Sequence, residues 1–338
     1  MSIHEMTIGY LLTFNLLTLN LKTWNLKTVI LKKVIANRRV LKSQKIKRAT
    51  LALALLATTA CAIPFKALAS PWIETGNART RHHIHYLVDS GALNIPTSTW
   101  PLAWVSVKQA IESVDTATLT HAQAWSIQYL KHELQKAMAG AYTQSRSHYS
   151  ASVQALEGFE STSREAREIE TGITYTGNTF AMKLTGTYVD DPSDNKSARA
   201  DGSFLAFLTN NWAVGVGAVN QWWGPGWHNS MILSNNARPA PGLFLKRNQT
   251  QAFATPGLSW LGQWQFTAFA NQLQDKTGPI EKPLLFGARF SATPLQGLEI
   301  GFSRLGIRNG EAKTASHVSH RSEHNYAITA LDARYGFT

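Results

Sequence analysis

Trp222-Trp223-Gly224-Pro225-Gly226-Trp227 runs on through Ile232-Leu233-Ser234-Asn235-Asn236-Ala237-Arg238-Pro239 to Pro241. Three tryptophans set among two glycines and a proline cannot form a regular helix. The run interrupts two stretches that alternate as strands, so it is expected as one large folded loop. On both sides of it, from Ser147 onward, apolar and polar residues alternate with a period of two. Ten candidate strands follow, near 148–157, 168–176, 179–189, 202–209, 212–220, 243–253, 262–273, 283–292, 298–307 and 324–337.

The connections say more than the strands. Gly177-Asn178, Asn210-Asn211, the segment around Thr255-Pro256-Gly257, and Pro294-Leu295-Gln296-Gly297 have the composition of tight turns. Between them stand Asp190 to Asp201, Gln221 to Gly242, Gln274 to Lys282 and Arg308 to Glu323, all long and polar or aromatic, and Gly158 to Arg167 extends the pattern upstream. Short and long connections alternate. In a transmembrane antiparallel outer-membrane β-barrel, strands of about ten tilted residues close on themselves because lipid offers no partner for a free edge, with tight turns on the periplasmic rim and long loops outside. A secreted β-sandwich also has short strands and turns, but gives no reason for such alternation. Faces agree with the barrel: Phe180, Met182, Leu184 and Tyr188 oppose Lys183 and Thr185, and Trp264, Phe266, Ala268 and Ala270 oppose Gln263, Gln265, Thr267 and Asn271. Phe204 to Leu208 is apolar on both faces, which predicts a strand that lies against something inside.

The formal net charge of +12 and pI near 9.8 invite a nucleic-acid reading, so the placement of the charge matters. Residues 1–69 hold eleven Lys or Arg against one acid, Glu5, so ten of the twelve net charges lie there. The rest is nearly neutral, and no nucleic-acid partner is expected. Arg38 to Arg48 form a basic region, Ala49 to Ile63 an apolar run too short to span, and Ala67-Leu68-Ala69 a small-residue cleavage site. Residues 38–69 therefore read as a signal peptide cleaved after Ala69. Residues 1–37 precede a complete signal and read as an upstream extension. The sole cysteine, Cys61, falls within the signal, which leaves a mature chain without disulfides.

Residues 70–146 read as helical. Asn77 to Ser90 places Ile84, Leu87 and Val88 on one side and ends at Gly91; Val105 to Val114 is a second helix; Thr120-His121-Ala122-Gln123 fits a capping box, followed by Ile127, Leu130, Leu134, Ala137 and Ala141 at helical spacing. Such a segment is small for a core of its own. It is expected as a helical plug at the periplasmic mouth of a partial barrel spanning 147–338.

At Trp222 to Trp227, with its Ser234-to-Pro239 continuation, the chain resembles the capsule assembly Wzi family of Gram-negative outer-membrane proteins. Pro71-Trp72-Ile73-Glu74, the Leu87-to-Trp104 stretch with Thr99-Trp100-Pro101-Leu102, and Asp332-Ala333-Arg334-Tyr335 carry the resemblance further. It implies a large plugged barrel, of eighteen strands in the family, located in the outer membrane. It also implies a lectin-like role in holding capsular or other surface polysaccharide. Outer-membrane lipid and the barrel-assembly machinery are the other implied partners. Ten strands are fewer than the family pattern, and Gly336-Phe337-Thr338 lack its terminal aromatic, so a shortened chain is expected.

Trp222, Trp223, Trp227, Asn235, Asn236 and Arg238 are the candidate carbohydrate-binding residues. Indoles stack on the apolar faces of sugar rings, while amide and guanidinium groups bond hydroxyls. The competing expectation, and the preferred one, is that these residues pack the loop back into the barrel lumen. His82-His83-x-His85 and His317, His320 and His324 bring no cysteine and no HExxH spacing, so no metal or cofactor is expected. Glu165, Glu168 and Glu170, and Asp190 with Asp191, are the acid clusters that glycoside hydrolysis would need, but they lie among turn residues and read as loop solvation. No GxSxG or placeable Ser/His/Asp set is present. The expectation is a binding protein and not an enzyme, with a channel or porin, or a surface glycan hydrolase, as alternatives.

Overall fold

The computed structural model describes residues 72–138, 140–151, 156–160, 163–274, 280–281, 283–308, 311–312 and 326–337. The signal region, the upstream extension and the histidines at 317, 320 and 324 lie outside the described residues.

Three helices open the described chain. α1 (Ala78–Asp89) starts where the Asn77 side chain accepts from Thr80 N at 3.1 Å, and ends as Gly91, at φ +75°, lets Leu93 N return to Leu87 O at 3.0 Å. It is buried on more than one side, including at Arg81, His83 and His85. α2 (Trp104–Glu112) follows two short strand pairs, β1 (Trp72–Ile73) with β3 (Leu102–Ala103), and β2 (Thr99–Trp100) with a segment far along the chain. α3 (His121–Ala137) begins with the expected capping box: Thr120 N donates to Gln123 Oε1 at 2.8 Å, and Gln123 N to Thr120 Oγ1 at 3.3 Å. The apolar stripes of the helices meet in one core containing Ile84, Leu87, Trp100, Val107, Ile127 and Leu130.

The helical region ends earlier than its periodicity suggested. α3 stops at Ala137, Gly140 turns at φ +88°, and Ala141, expected on the helix, begins strand β4 (Ala141–Tyr149). The sheet gains from this: β4 pairs along its whole length with β5 (Arg167–Thr176), from Ala141↔Tyr175 to Tyr149↔Arg167. The strand anticipated at 148–157 is thus displaced upstream.

Antiparallel pairing then runs in chain order through β6 (Phe180–Val189), β8 (Phe204–Thr209), β9 (Trp212–Gly217), β11 (Gly242–Arg247), β12 (Gln263–Gln272), β14 (Leu284–Leu295), β15 (Leu298–Arg308) and β17 (Tyr326–Tyr335). The short β7 (Ala198–Arg199) adds to β6. Among the described residues β4 and β17 are the sheet edges. Three of the expected tight turns are present, at 177–179, at Asn210-Asn211, where Asn210 takes φ +48°, and at Gln296-Gly297, where Gly297 takes φ +79°.

The fourth is not a tight turn. β11 ends at Arg247, paired with Trp212, because its neighbour β9 begins there, just after the Asn210-Asn211 turn. Asn211 closes the ladder, accepting from Gln249 N at 2.5 Å, and residues 248–262 run on irregularly, ending in a 3-10 turn at Ser259–Leu261. On the opposite rim, β13 (Ile280–Glu281) and β16 (Glu311–Ala312) join two long connections as a short ribbon.

The two faces of the sheet are inverted relative to a water-soluble protein. Facing the helices are Lys183, Thr185, Thr187, Gln265, Thr267, Arg289, Ser291, Glu299 and Ser303, all buried. Facing away are Ile173, Leu184, Tyr188, Phe207, Val216, Leu243 and Phe302, all more than a third exposed. Polar-in and apolar-out alternation is what lipid on one side and a polar lumen on the other require. Phe204 fits the expectation that its strand lies against something inside: it packs on Trp72 of β1 with ring centroids 4.6 Å apart.

Candidate functional site: the loop that enters the lumen

Trp222 and Trp223 form β10, which pairs with β2 in the register Trp222↔Trp100 and Trp223↔Thr99. Because successive strand side chains point to opposite faces, the two indoles enter different cores. Trp222 joins the helical core beside Phe159, at 5.6 Å, while Trp223 joins the sheet core against Phe269, at 5.4 Å. Both are essentially unexposed, at 0% and 2%. Gly224, at φ +143°, turns the chain and donates to Ser98 O at 2.8 Å.

The turn that follows closes over a cation. Arg81 of α1 is fully buried and donates through Nη2 to Pro225 O and Gly226 O, 2.9 Å each. Its guanidinium carbon lies 4.1 Å from the Phe159 ring centroid and 4.4 Å from that of Trp227, with Trp100 and Trp222 slightly farther. Among the described residues no carboxylate is bonded to it, so ring faces, two carbonyls and His85 carry its compensation. Burial, with the nearby Arg334 charge, pushes its pKa down to about 9, which leaves it a cation at neutral pH. His85 lies one turn along, its Nε2 accepting from Arg81 Nε at 3.4 Å and its ring edge-on to Trp227 at 5.4 Å. Burial first, then the charges of Arg334 and Arg81, hold His85 well below the usual histidine value. His83 bonds Ser126 at 3.1 Å and packs on Tyr129, so the histidine cluster is built into the plug.

The continuation of the loop is tied to its neighbours. Asn235 is buried and donates to Phe159 O at 3.0 Å, and Asn236, exposed, accepts from Glu157 N at 2.6 Å. Arg238 reaches Asp201 at 2.7 and 2.8 Å and Asp194 at 2.5 Å. Asp194 also receives Arg199 at 3.0 Å, and Arg199 bonds Glu165 at 2.5 Å, with both partners of the latter pair buried. Three long connections are clasped by one charge network. Burial alone would raise the Glu165 and Asp194 carboxyls, but the hydrogen bonds from Arg199 and their other donors outweigh it and hold both below the ordinary carboxylate range. The acid clusters are therefore not free loop solvation as their setting suggested: Glu168 and Glu170 pair with Arg146, at 3.5 and 3.2 Å, and Asp190 with Arg167 at 3.0 Å.

Beneath the network, between the plug and β4 to β6, is a cavity of about 800 Å³. Trp72, Trp104 and Tyr142 contribute aromatic surface to it, and Arg164, Lys183 and Asn220 polar groups.

A family model described as capsule assembly protein Wzi matches residues 135–321, more than half of the sequence. The chain belongs to the Wzi capsule assembly family. The span takes in the Wzi-family sheet from β4 to β16 with the whole tryptophan loop. A Klebsiella pneumoniae protein described as an uncharacterized 55.8 kDa protein in the cps region is 26% identical over 241 residues, which is 71% of this chain and 47% of that protein. The chain thus spans about half the length of this curated relative. Among solved structures, it is similar to Escherichia coli Wzi, described as an outer membrane protein involved in group 1 capsule assembly and a carbohydrate binding beta-barrel, with a TM-score of 0.66 and 22% identity over 78% of this chain and 59% of that one. At that identity the likeness establishes the barrel fold, and it agrees with the antiparallel sheet seen here.

Of the six candidate residues, the Wzi-family fold brings Trp222, Trp223 and Asn235 into the interior, leaves Trp227 half-buried on Arg81, commits Arg238 to two aspartates and exposes Asn236. Sequence reasoning did not single out Arg81, Phe159, Arg199 or Asp194. Arg81 alone had a local signal: it lies three residues before Ile84, so a cation sits on the apolar stripe of α1.

Proposed function

We propose that this protein is an outer-membrane barrel that binds capsular polysaccharide and helps hold it at the cell surface. The inverted sheet, apolar outward and polar inward, is the observation that carries the membrane placement, and the family and its carbohydrate-binding relative support the ligand. Outer-membrane lipid surrounds the outward face, and the barrel-assembly machinery inserts the chain. Sugar contact belongs to the loop rim, where Asn236 is exposed, and to the cavity below it, where Asn220 and Arg164, bonded to each other at 2.8 Å, lie beside the aromatic walls of Trp72 and Tyr142. Trp222, Trp223, Trp227, Asn235 and Arg238 serve the same site by fixing the loop.

Binding without turnover is supported by the state of the rim acids. Glu165 and Asp194 each accept from Arg199, which favours the ionised form, and Glu168, which burial raises, is met by Arg146 at 3.5 Å, whereas glycoside hydrolysis needs one acid held protonated beside an ionised partner across the scissile bond. A conducting channel is disfavoured by the bonds that retain the plug: Glu299 accepts from Thr97 N at 2.8 Å and Ser98 N at 3.0 Å, and Lys183 bonds Glu74 at 2.6 Å.

The test is retention of capsular polysaccharide by the purified protein and by cells. Asn236→Ala with Asn220→Ala should weaken retention about tenfold while heat-modifiable gel mobility stays normal, on the basis of two lost hydrogen bonds of roughly 0.5–1.5 kcal/mol each. Wild-type protein that inserts but retains no polysaccharide would remove the proposal.

A further inference from the structure

Two arginines stand on the wrong face of the sheet. On β15, Glu299, Gly301 and Ser303 point inward, as the bonds of Glu299 to the plug and of Ser303 to Arg289 at 2.6 Å show. The alternate set, Ile300, Phe302, Arg304, Gly306 and Arg308, therefore faces outward, and Ile300, Phe302, Arg304 and Arg308 are exposed. Arg304 has Ala288 and Thr329 beside it on the flanking strands, and Arg308 has Leu284. Among the described residues neither has an acceptor or a carboxylate partner.

Among the described arginines of the sheet, that absence sets them apart. Arg146, Arg167, Arg199, Arg238, Arg289 and Arg334 are all paired with acids. Arg247 also faces outward by register, but it is covered: its guanidinium lies 3.4 Å from the Trp264 ring centroid and donates to Trp264 O at 3.2 Å.

Height along the strand identifies the missing partner. Arg304 and Arg308 lie six and ten residues beyond Leu298, which opens β15 at the tight-turn rim. At about 3.3 Å per residue and a tilt of about 40°, they stand roughly 15 and 25 Å above that rim, in an apolar band about 25 Å tall. Arg308 is thus level with the headgroups on the long-loop side. Arg304 begins deeper, between Ala288 and Thr329, and an arginine side chain can extend towards the same level beside the Phe286 ring that covers Gly306. An arginine on a lipid-facing strand costs roughly 2–4 kcal/mol at mid-depth unless its charge is met.

Resting on the outer-membrane reading above, we propose that Arg304 and Arg308 bind the phosphate groups of a phosphorylated glycolipid in the outer leaflet. Guanidinium groups take phosphate through paired charge-assisted hydrogen bonds, and the two side chains are spaced to hold one headgroup along β15. The site would anchor the long-loop rim to the lipid that surrounds it.

The test uses the full chain extracted from membranes, with lipopolysaccharide and the same lipid enzymatically dephosphorylated as probes. Bound lipid is read by native mass spectrometry, and membrane insertion by heat-modifiable gel mobility. Wild-type protein should bind phosphorylated lipid at least about tenfold more tightly than dephosphorylated lipid, on the order expected of two interfacial arginines. Arg304→Gln with Arg308→Gln should erase that difference, and the double lysine variant should keep most of it. Equal binding of the two lipids by inserted wild-type protein overturns the proposal and leaves the outer-membrane reading standing, as does equal preference in wild type and an inserted glutamine variant. Wild-type protein that never inserts overturns both.

Discussion

Arg81 concentrates the chemistry of the loop joint in one side chain. It holds two loop carbonyls and four aromatic rings, and among the described residues no carboxylate bonds it and its Nη1 meets no acceptor, so its stability depends on those rings and carbonyls staying in place. Arg81→Met keeps much of the volume but leaves both carbonyls short of a donor and removes the cation from the rings. The expected cost is about 2–4 kcal/mol, seen as a lower denaturation midpoint and as protease cutting within 218–241. His85 beside it adds a pH dependence. Its folded pKa lies well below 6.5, so as pH falls below about 6.5 the unfolded chain takes up the proton first, and stability is lost progressively until the folded pKa is reached. A lower midpoint at pH 5.5 than at pH 7.5 is expected, with much of the difference abolished in His85→Asn. An unchanged difference in that variant would show that another group carries it.

At the scale of elements, the joined loops behave as one unit because Arg199, Asp194 and Arg238 link three connections. Arg199→Ala would leave the buried Glu165 carboxylate unpaired, at about 3–5 kcal/mol, and should expose the 190–203 segment to protease while the sheet stays intact. Because Glu165 and Asp194 are held below their ordinary values, the network should be complete at neutral pH and fail as pH drops through their folded pKa values, in the acid range. The same elements show what a sequence can reveal. β5, β6, β12 and β15 were legible to within a residue or so, since lipid on one side and polar contacts on the other force a strict period of two. The starts of α1 and α3 were legible because caps are local, whereas α2 has no side-chain cap. The end of α3 was not, because Ala141 fits a helical stripe equally well and only pairing with Tyr175, on a distant strand, decides it. Residues 248–253 alternate like a strand, yet beyond Asn211 the β9 side turns away into its hairpin, and isolated bonds to Gln263 and Trp264 hold them instead. The clasp was illegible for the same reason: Arg199 and Glu165 are local to nothing, and carboxylates in a turn look solvated until the partner loop is placed. The tryptophan run announced its importance but not its destination, which the alternation of Trp222 and Trp223 between two cores now explains.

For the molecule as a whole, one inversion organises the sheet: most charge, amide and hydroxyl groups point at the plug and most aliphatic and aromatic groups away from it, with Arg304 and Arg308 as outward exceptions. The plug is held from several strands at once, with Lys183, Lys246, Arg289, Glu299 and Arg334 all reaching it from the inward face. That arrangement fits the polysaccharide-holding barrel proposed above, with the plug kept in place. The most direct test exploits the lack of any cysteine after Cys61 in the sequence. With Cys61 replaced, cysteines are placed one at a time at Ile300, Gly301, Phe302 and Ser303 in the membrane-inserted protein, each is labelled with a small fluorophore, and quenching is compared for a lipid-borne and a water-soluble quencher. Labels at 300 and 302 should be quenched from the lipid, and labels at 301 and 303 should not. Equal quenching of all four from water, with no alternation, would contradict a lipid-facing sheet.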